Sequence, residues 1–272
     1  MHGYLMGIFM GKIPIVGGKM NIYNPISCEW NLTFKCNLKC SFCSLSCSPQ
    51  IMENNFWSND NINRIVSELK KNNVVYVSLT GGEPLMSKDI FKIIDILYAN
   101  HFVVTLASNG LLINEKFLSA TKEKIKWIQV SLQSLNSDYN ERKMGVSSGA
   151  ILESVNRIVK AGIGISIATI NFQDENQELP NLVKFLDENN IKHYIRRLMR
   201  PQKFISPPKK CESFSRSIPY FCILPNGNVA QCAELGVVAG NILDENLDTI
   251  LKKAELRYCN PSNGCLLVEE TI

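Results

Sequence analysis

Cys36-Asn37-Leu38-Lys39-Cys40-Ser41-Phe42-Cys43 sets three thiols within eight residues, in the spacing C-x3-C-x2-C, directly after the apolar run Ser27–Thr33. Thiolates are soft ligands that suit zinc or iron–sulfur clusters. A structural zinc takes four ligands, usually as separated pairs. Three close cysteines without a fourth fit an iron–sulfur cluster with one iron left open. Cys47 is the rival reading, because as a fourth ligand it would close a zinc site. His101 and His193 stand alone in sequence and read as ordinary satisfied side chains.

Outward from this loop, short apolar runs alternate with amphipathic stretches. The strand-like runs are Ser27–Thr33, Val74–Leu79, Phe102–Ala107, Trp127–Leu132, Ile163–Ile170 and Ile191–Ile195. Helical spacing predicts helices over Asn61–Asn72, Lys88–Asn100, Ala150–Gly162 and Pro180–Asn189. Such alternation predicts a parallel sheet with right-handed crossovers. A partial or complete (β/α) barrel fits, and so does an open doubly wound sheet. Polar residues follow strand after strand: Cys36, then Gly81-Gly82-Glu83, Ser108-Asn109-Gly110, Gln133, Asn171 and Arg196-Arg197. Polar groups gathered at one rim favour the barrel, whose sites lie at the C-terminal ends of the strands. The predicted class is therefore α/β, a partial (β/α)6 TIM-like barrel over 26–205. Residues 1–25 form an N-terminal extension, with Met20 a candidate start. Residues 206–272 form a small cysteine-rich unit after a linker rich in Pro and Lys. That unit carries a hairpin signal, Tyr220–Leu224 followed by the turn Pro225-Asn226-Gly227-Asn228.

Composition agrees with a globular chain. The protein has 272 residues, 45% hydrophobic and 20% charged, with a mean hydropathy of -0.02. Whole-chain disorder, collagen and coiled coil are excluded. Lys and Arg number 29 against 25 Asp and Glu, a net charge of +4 too small and scattered to imply nucleic acid or an acidic membrane. No run approaches the ~18 apolar residues of a transmembrane helix. The ten cysteines form two groups, with none between 48 and 210. That is unlike a secreted disulfide scaffold and predicts a reduced, cytoplasmic setting with metal or redox chemistry.

The three-cysteine spacing with an aromatic residue before the third, placed after a first barrel strand, resembles the radical S-adenosylmethionine (radical SAM) superfamily. The later motifs follow in order. Thr80-Gly81-Gly82-Glu83-Pro84 is similar to the family's Gly-Gly-Glu-Pro motif. Ser108-Asn109-Gly110 is similar to the segment that meets the ribose. Ser131-Leu132-Gln133 stands where many members have Ser-Leu-Asp, and Arg142 follows at the spacing of a carboxylate-binding arginine. The resemblance covers about 26–200. It implies a 4Fe–4S cluster on Cys36, Cys40 and Cys43, whose open iron chelates the amine and carboxylate of SAM. Phe42 would meet the adenine. The carbonyls of Gly81 and Gly82, with Glu83, would accept from the ammonium, and Ser131 with Arg142 would hold the carboxylate. Cys47, near the expected radical, is a hydrogen-donor candidate or a thiol without a role.

The second cysteine group, Cys211, Cys222, Cys232, Cys259 and Cys265, resembles the SPASM or shorter twitch extension of radical SAM maturases. Four of the five would hold at most one auxiliary 4Fe–4S cluster. Cys222 alternates with Phe221 and Ile223 and faces either that cluster or the core. Cys28 reads as a core thiol. The implied activity is formation of a 5′-deoxyadenosyl radical that takes hydrogen from a substrate. The favoured substrate is a ribosomally made peptide, undergoing epimerisation, crosslinking or oxidation. Gln133, Asn171, Arg196 and Arg197 are the candidate substrate contacts. No leader-binding pattern precedes residue 26, so the barrel mouth or a separate partner would grip the peptide. Flavodoxin or ferredoxin would supply electrons. The alternatives are a small-molecule dehydrogenase or activase of the same chemistry, and a non-catalytic Fe–S or zinc module.

Overall fold

Ser27–Asn31 forms strand β1, buried at every position. Side chains alternate across a strand, so Cys28 and Trp30 face one way and Ser27, Glu29 and Asn31 the other. A strand buried on both faces belongs in the middle of a sheet, and β1 lies there. The computed structural model describes residues 27–51, 57–172, 178–198, 220–230 and 238–258. Five more parallel strands follow: β2 (Tyr76–Thr80), β3 (Val103–Ser108), β4 (Ile125–Ser131), β5 (Gly164–Asn171) and β6 (Lys192–Arg197). Each pairs in parallel with its predecessor in the chain, from Ser27 opposite Tyr76 to Asn171 opposite Arg197.

A doubly wound sheet reverses its strand order at a switch point. Here the order β6-β5-β4-β3-β2-β1 runs without reversal, and among the described residues β6 is the last strand on its side of the sheet. The result is a partial (β/α) barrel. Helices α1 (Asn59–Lys71), α2 (Ile90–Ala99), α3 (Glu115–Thr121), α4 (Ser137–Met144), α5 (Ser148–Lys160) and α6 (Leu179–Glu188) connect the strands. The Ser58 side chain caps α1 by accepting from the Asn61 N–H, and Ile62, Ile65, Val66 and Leu69 form the buried stripe. The four helices expected from periodicity are present within two residues of their expected ends. Helices α3 and α4 were not expected. They are one or two turns long, each begun by an asparagine cap, Asn114 and Asn136, and α4 is too polar to show a stripe.

Beyond β1 the sheet continues. Strand β7 (Tyr220–Ile223) pairs in parallel with β1, Ser27 opposite Tyr220. Strand β8 (Asn228–Ala230) adds antiparallel to it, β9 (Val238–Asn241) adds antiparallel to β8, and helix α7 (Leu247–Tyr258) follows. The hairpin expected after Tyr220 is thus present as β7 and β8, and it prolongs the barrel sheet on the far side of β1. Helix α1 ties it in place: the Arg64 Nε donates to the Ile242 carbonyl at 2.9 Å, and Glu68 Oε2 accepts from the Leu247 N–H at 2.9 Å. The Met20 start, the 205/206 boundary with its linker, and Cys211, Cys232, Cys259 and Cys265 lie outside the described residues.

Candidate active site

The loop after β1 carries the three cysteines to the C-terminal end of the sheet. Cys36, Cys40, Cys43 and Cys47 all line one cavity of about 200 Å³, together with Glu29, Asn31, Thr80, Gly81, Gly82, Ser108, Asn109, Gln129, Ser131, Gln133 and Arg196. Two backbone donors serve the sulfurs. The Leu38 N–H points to Cys36 Sγ at 3.4 Å and the Cys47 N–H to Cys43 Sγ at 3.3 Å. The loop is tied across the cavity mouth to the end of α4, where the Lys143 carbonyl accepts from the Ser41 N–H at 2.9 Å. Burial pushes the Cys40 thiol up to about 12, with Cys36 and Cys43 adding to the effect. Cys43 is held down to about 6, first by the side chain of Cys47 and further by backbone N–H groups of Cys47, Leu45 and Ser46, against its own burial.

The donor set suits a cluster. Thiolate anchors of an iron–sulfur cube are spread over separate irons. Three thiols on one loop, with two N–H donors already on their sulfurs, fit that demand.

The Gly81-Gly82 turn after β2 packs directly on this loop. A Cβ on Gly82 would stand 2.2 Å from the Lys35 carbonyl oxygen, and one on Gly81 would stand 2.3 Å from that of Thr33. The two segments are joined by Gly82 N–H to Thr33 O at 2.7 Å and Glu83 N–H to Lys35 O at 2.8 Å. The glycines therefore serve close contact between two rim loops, in addition to lining the cavity.

Glu83 departs from its expected place. Its carboxylate is fully buried and absent from the cavity lining. It accepts from the Ser108 hydroxyl at 2.9 Å, the Asn109 N–H at 2.8 Å and the Leu85 N–H at 3.2 Å. Burial pushes this carboxyl up to about 7, against the pull of those three donors. Glu83 binds the β2 rim to the β3 rim. Asn109, anchored this way, donates to Asn37 Oδ1 at 2.7 Å and lies 3.8 Å from Cys36 Sγ.

The remaining candidates divide. Ser131 and Phe42 line the cavity, and Phe42 meets Phe172 edge-on at 5.5 Å. Arg142 does not join Ser131. It is exposed on α4, with its guanidinium 5.7 Å from the Tyr139 ring. Gln133 lines the cavity, but its Oε1 accepts from the Ile170 N–H at 2.8 Å and its Nε2 faces Met144 Sδ at 3.7 Å. Arg196 reaches the cavity, whereas Asn171 at the end of β5 is not part of its lining. Arg197 is placed only as the last residue of β6, opposite Asn171. Cys222 lies on the core side of the earlier alternative. It is 0% exposed, packed with Leu224 and Ala230, and its thiol donates to the Ala230 carbonyl at 3.2 Å. Cys28 is a buried core thiol, raised by burial.

Sequence reading missed Glu29, Asn31, Gln129 and Phe172. The first three share a signal in hindsight: polar residues at every second position of runs otherwise read as buried strand.

An open (β/α)6 sheet with a three-cysteine loop at its C-terminal rim defines the class of protein. Residues 30–186 match the radical SAM superfamily model, more than half of the chain, and the protein belongs to that superfamily. Among curated relatives, a GTP 3′,8-cyclase of Clostridium perfringens (strain 13) is 28% identical over 166 residues, 59% of this chain and 51% of its own length. The mycofactocin maturase MftC of Mycolicibacterium smegmatis is 30% identical over 126 residues, 46% of this chain and 31% of its own. The chain spans about half or less of the length of these relatives. The solved structure of Streptococcus suis SuiB bound to precursor peptide SuiA superposes with a TM-score of 0.70 at 18% identity, covering 84% of this chain and 64% of that one. That of anSMEcpe with bound AdoMet gives a TM-score of 0.68 at 13% identity, covering 85% and 82%. These structures share the fold.

Proposed function

We propose that this protein is a radical SAM enzyme that modifies a ribosomally made peptide by hydrogen abstraction. One observation carries the reading: three thiols on one loop open into the same cavity as the polar inner face of the sheet. Cys36, Cys40 and Cys43 would hold the 4Fe–4S cluster, and SAM would lie against Phe42, Gly81, Gly82 and Ser131. When bound, these groups supply one-electron cleavage of SAM and hydrogen-atom abstraction. The chain supplies everything else. Leu38 and Cys47 hold the sulfurs through their N–H groups. Glu83 fixes the two rim loops that flank the cavity. Phe42 lines the cavity and is backed edge-on by Phe172, and the buried strand faces exclude water.

Two observations support a peptide over a nucleotide. The chain is similar to the maturase MftC, and the fold is that of SuiB, whose structure holds a precursor peptide. Arg196 is the one basic side chain among the described residues lining the cavity, and Glu29 brings a carboxylate. A triphosphate needs a cluster of cations. A nucleotide remains the second reading, carried by the similarity to GTP 3′,8-cyclase. For the second cysteine group, we propose Cys211, Cys232, Cys259 and Cys265 as the set for one auxiliary 4Fe–4S cluster, with Cys222 kept in the core, where its thiol donates to the Ala230 carbonyl. A low-potential donor such as flavodoxin or ferredoxin would reduce the protein.

Anaerobic reconstitution with SAM and dithionite tests the reading. We expect 5′-deoxyadenosine from the wild type and none from Cys36→Ala. Colourless protein with zinc bound in place of iron would refute it.

A further inference from the structure

The inner face of this sheet is unusually polar below the rim. Glu29, Asn31, Ser78, Thr105, Gln129 and Ser166 are all buried there or beside it, while apolar neighbours such as Trp30, Leu79, Leu106 and Ile128 alternate with them. Barrel interiors are ordinarily filled by branched apolar residues. Buried polar groups are ordinarily hydrogen-bonded. Several atoms here are not. Among the described residues, Trp30 Nε1, Asn31 Oδ1, Ser78 Oγ and Gln129 Nε2 are buried with no hydrogen-bond partner in the protein, and of these four residues only Asn31 and Gln129 belong to the cavity lining. Asn31 is 0% exposed and Gln129 3%.

The neighbours of these amides settle which atom each one presents. Asn31 Nδ2 donates to Glu29 Oε1 at 3.3 Å, and a carboxylate only accepts. Gln129 Oε1 accepts from Arg196 Nη2, and a guanidinium only donates. Neither amide can flip without setting like against like. Asn31 therefore presents an acceptor to the cavity and Gln129 presents a donor. The partners also sharpen each group: donation toward the Glu29 carboxylate enriches the Asn31 oxygen, and acceptance from Arg196 makes the Gln129 N–H a stronger donor. A ligand that completes both must donate at the β1 side and accept at the β4 side. A group without net charge fits best, because a lone cation would also face Arg196 and a lone anion would also face Glu29.

A primary carboxamide has this pattern of one N–H donor beside one carbonyl acceptor. Gln129 stands two residues below the Ser131 end of β4, so a side chain reaches it more readily than a main chain crossing the rim. We propose that Asn31 and Gln129, held by Glu29 and Arg196, form a recognition site for the side-chain carboxamide of an Asn or Gln in the substrate. The ligand rests on the peptide reading above, while the donor–acceptor geometry does not.

The test uses reconstituted protein saturated with SAM under anaerobic conditions. Calorimetric titration compares N-acetyl-asparagine and N-acetyl-glutamine methylamides with the leucine analogue, which has nearly the shape of asparagine. We expect one carboxamide probe to bind at least ~10-fold more tightly than leucine, since the apolar probe leaves both amides unsatisfied. Gln129→Met, which keeps length and removes the donor, should abolish the preference. Equal binding of leucine, no binding of either carboxamide, or a preference unchanged in Gln129→Met would overturn the proposal. So would preferred binding of guanosine, whose lactam edge also pairs a donor with an acceptor. If Gln129→Met fails to fold, the wild-type comparison still decides. Formation of 5′-deoxyadenosine without peptide, measured on the same preparation, tests the proposed activity separately from this site.

Discussion

Gly82→Ala is a demanding perturbation because it adds one methyl group where the structure has no space. Its Cβ would lie 2.2 Å from the Lys35 carbonyl oxygen, 2.7 Å from that carbonyl carbon and 2.9 Å from the Phe34 oxygen. All three are backbone atoms, so no side-chain rotation relieves the clash. The loop that carries Cys36 must move, or the turn after β2 must. Either movement strains the hydrogen bonds Gly82 N–H to Thr33 O and Glu83 N–H to Lys35 O. Overpacking costs about 1–3 kcal/mol, and each weakened hydrogen bond about 1 kcal/mol. The expected loss is about 3–5 kcal/mol, a large part of a typical folding stability of roughly 5–15 kcal/mol. Urea denaturation measures it on the apo protein, and iron content after anaerobic reconstitution reports on the loop. Gly149→Ala is the control, since nothing lies within 4 Å of its added Cβ. If Gly82→Ala keeps wild-type stability and its full iron, the glycines are not the contact between the two rim loops.

Glu68→Gln should loosen the junction between α1 and α7, lowering stability at neutral pH by about 1–2 kcal/mol because the Leu247 N–H loses a charged acceptor. Burial opposes ionisation of Glu68, but the Lys71 ammonium and the Leu247 N–H hold its carboxyl below the usual 4.5. A depressed carboxyl stabilises the fold above its unfolded pKa and loses that contribution as pH falls through its folded value. Melting curves of the wild type should therefore steepen in pH dependence below 4.5, and those of Glu68→Gln should be flatter there. Cys222→Ala should leave iron content unchanged while costing about 1–2 kcal/mol of stability from the emptied core position; loss of iron in that variant would return Cys222 to the ligand set. Asn140→Ala should cost about 2–3 kcal/mol by urea denaturation, because its buried amide satisfies both the Gln133 N–H at 2.9 Å and the Val146 carbonyl at 2.8 Å.

Legibility followed the range of the interaction. The six parallel strands and four of their helices were visible because burial imposes a period on consecutive residues. The cysteine loop was visible because its ligands are neighbours in the chain. Helices α3 and α4 were not, since one or two capped turns leave no stripe to count. Glu83 was read as a ligand for SAM from its motif; its contacts with Ser108 and Asn109 could not be read there, because only the end of the adjacent strand brings those two partners near.

What the sequence determined by itself was the alternation of strand and helix, the C-x3-C-x2-C loop and the family to which they belong, because each is written in local spacing. Tertiary structure alone decided that β7 extends the sheet beside β1, that Cys222 is buried against Leu224 and Ala230, that Arg142 is exposed on α4, and that Asn31 and Gln129 line the same cavity. Those facts depend on strand order and register. Pairing joins residues far apart in the chain, and no short stretch carries a record of its partner.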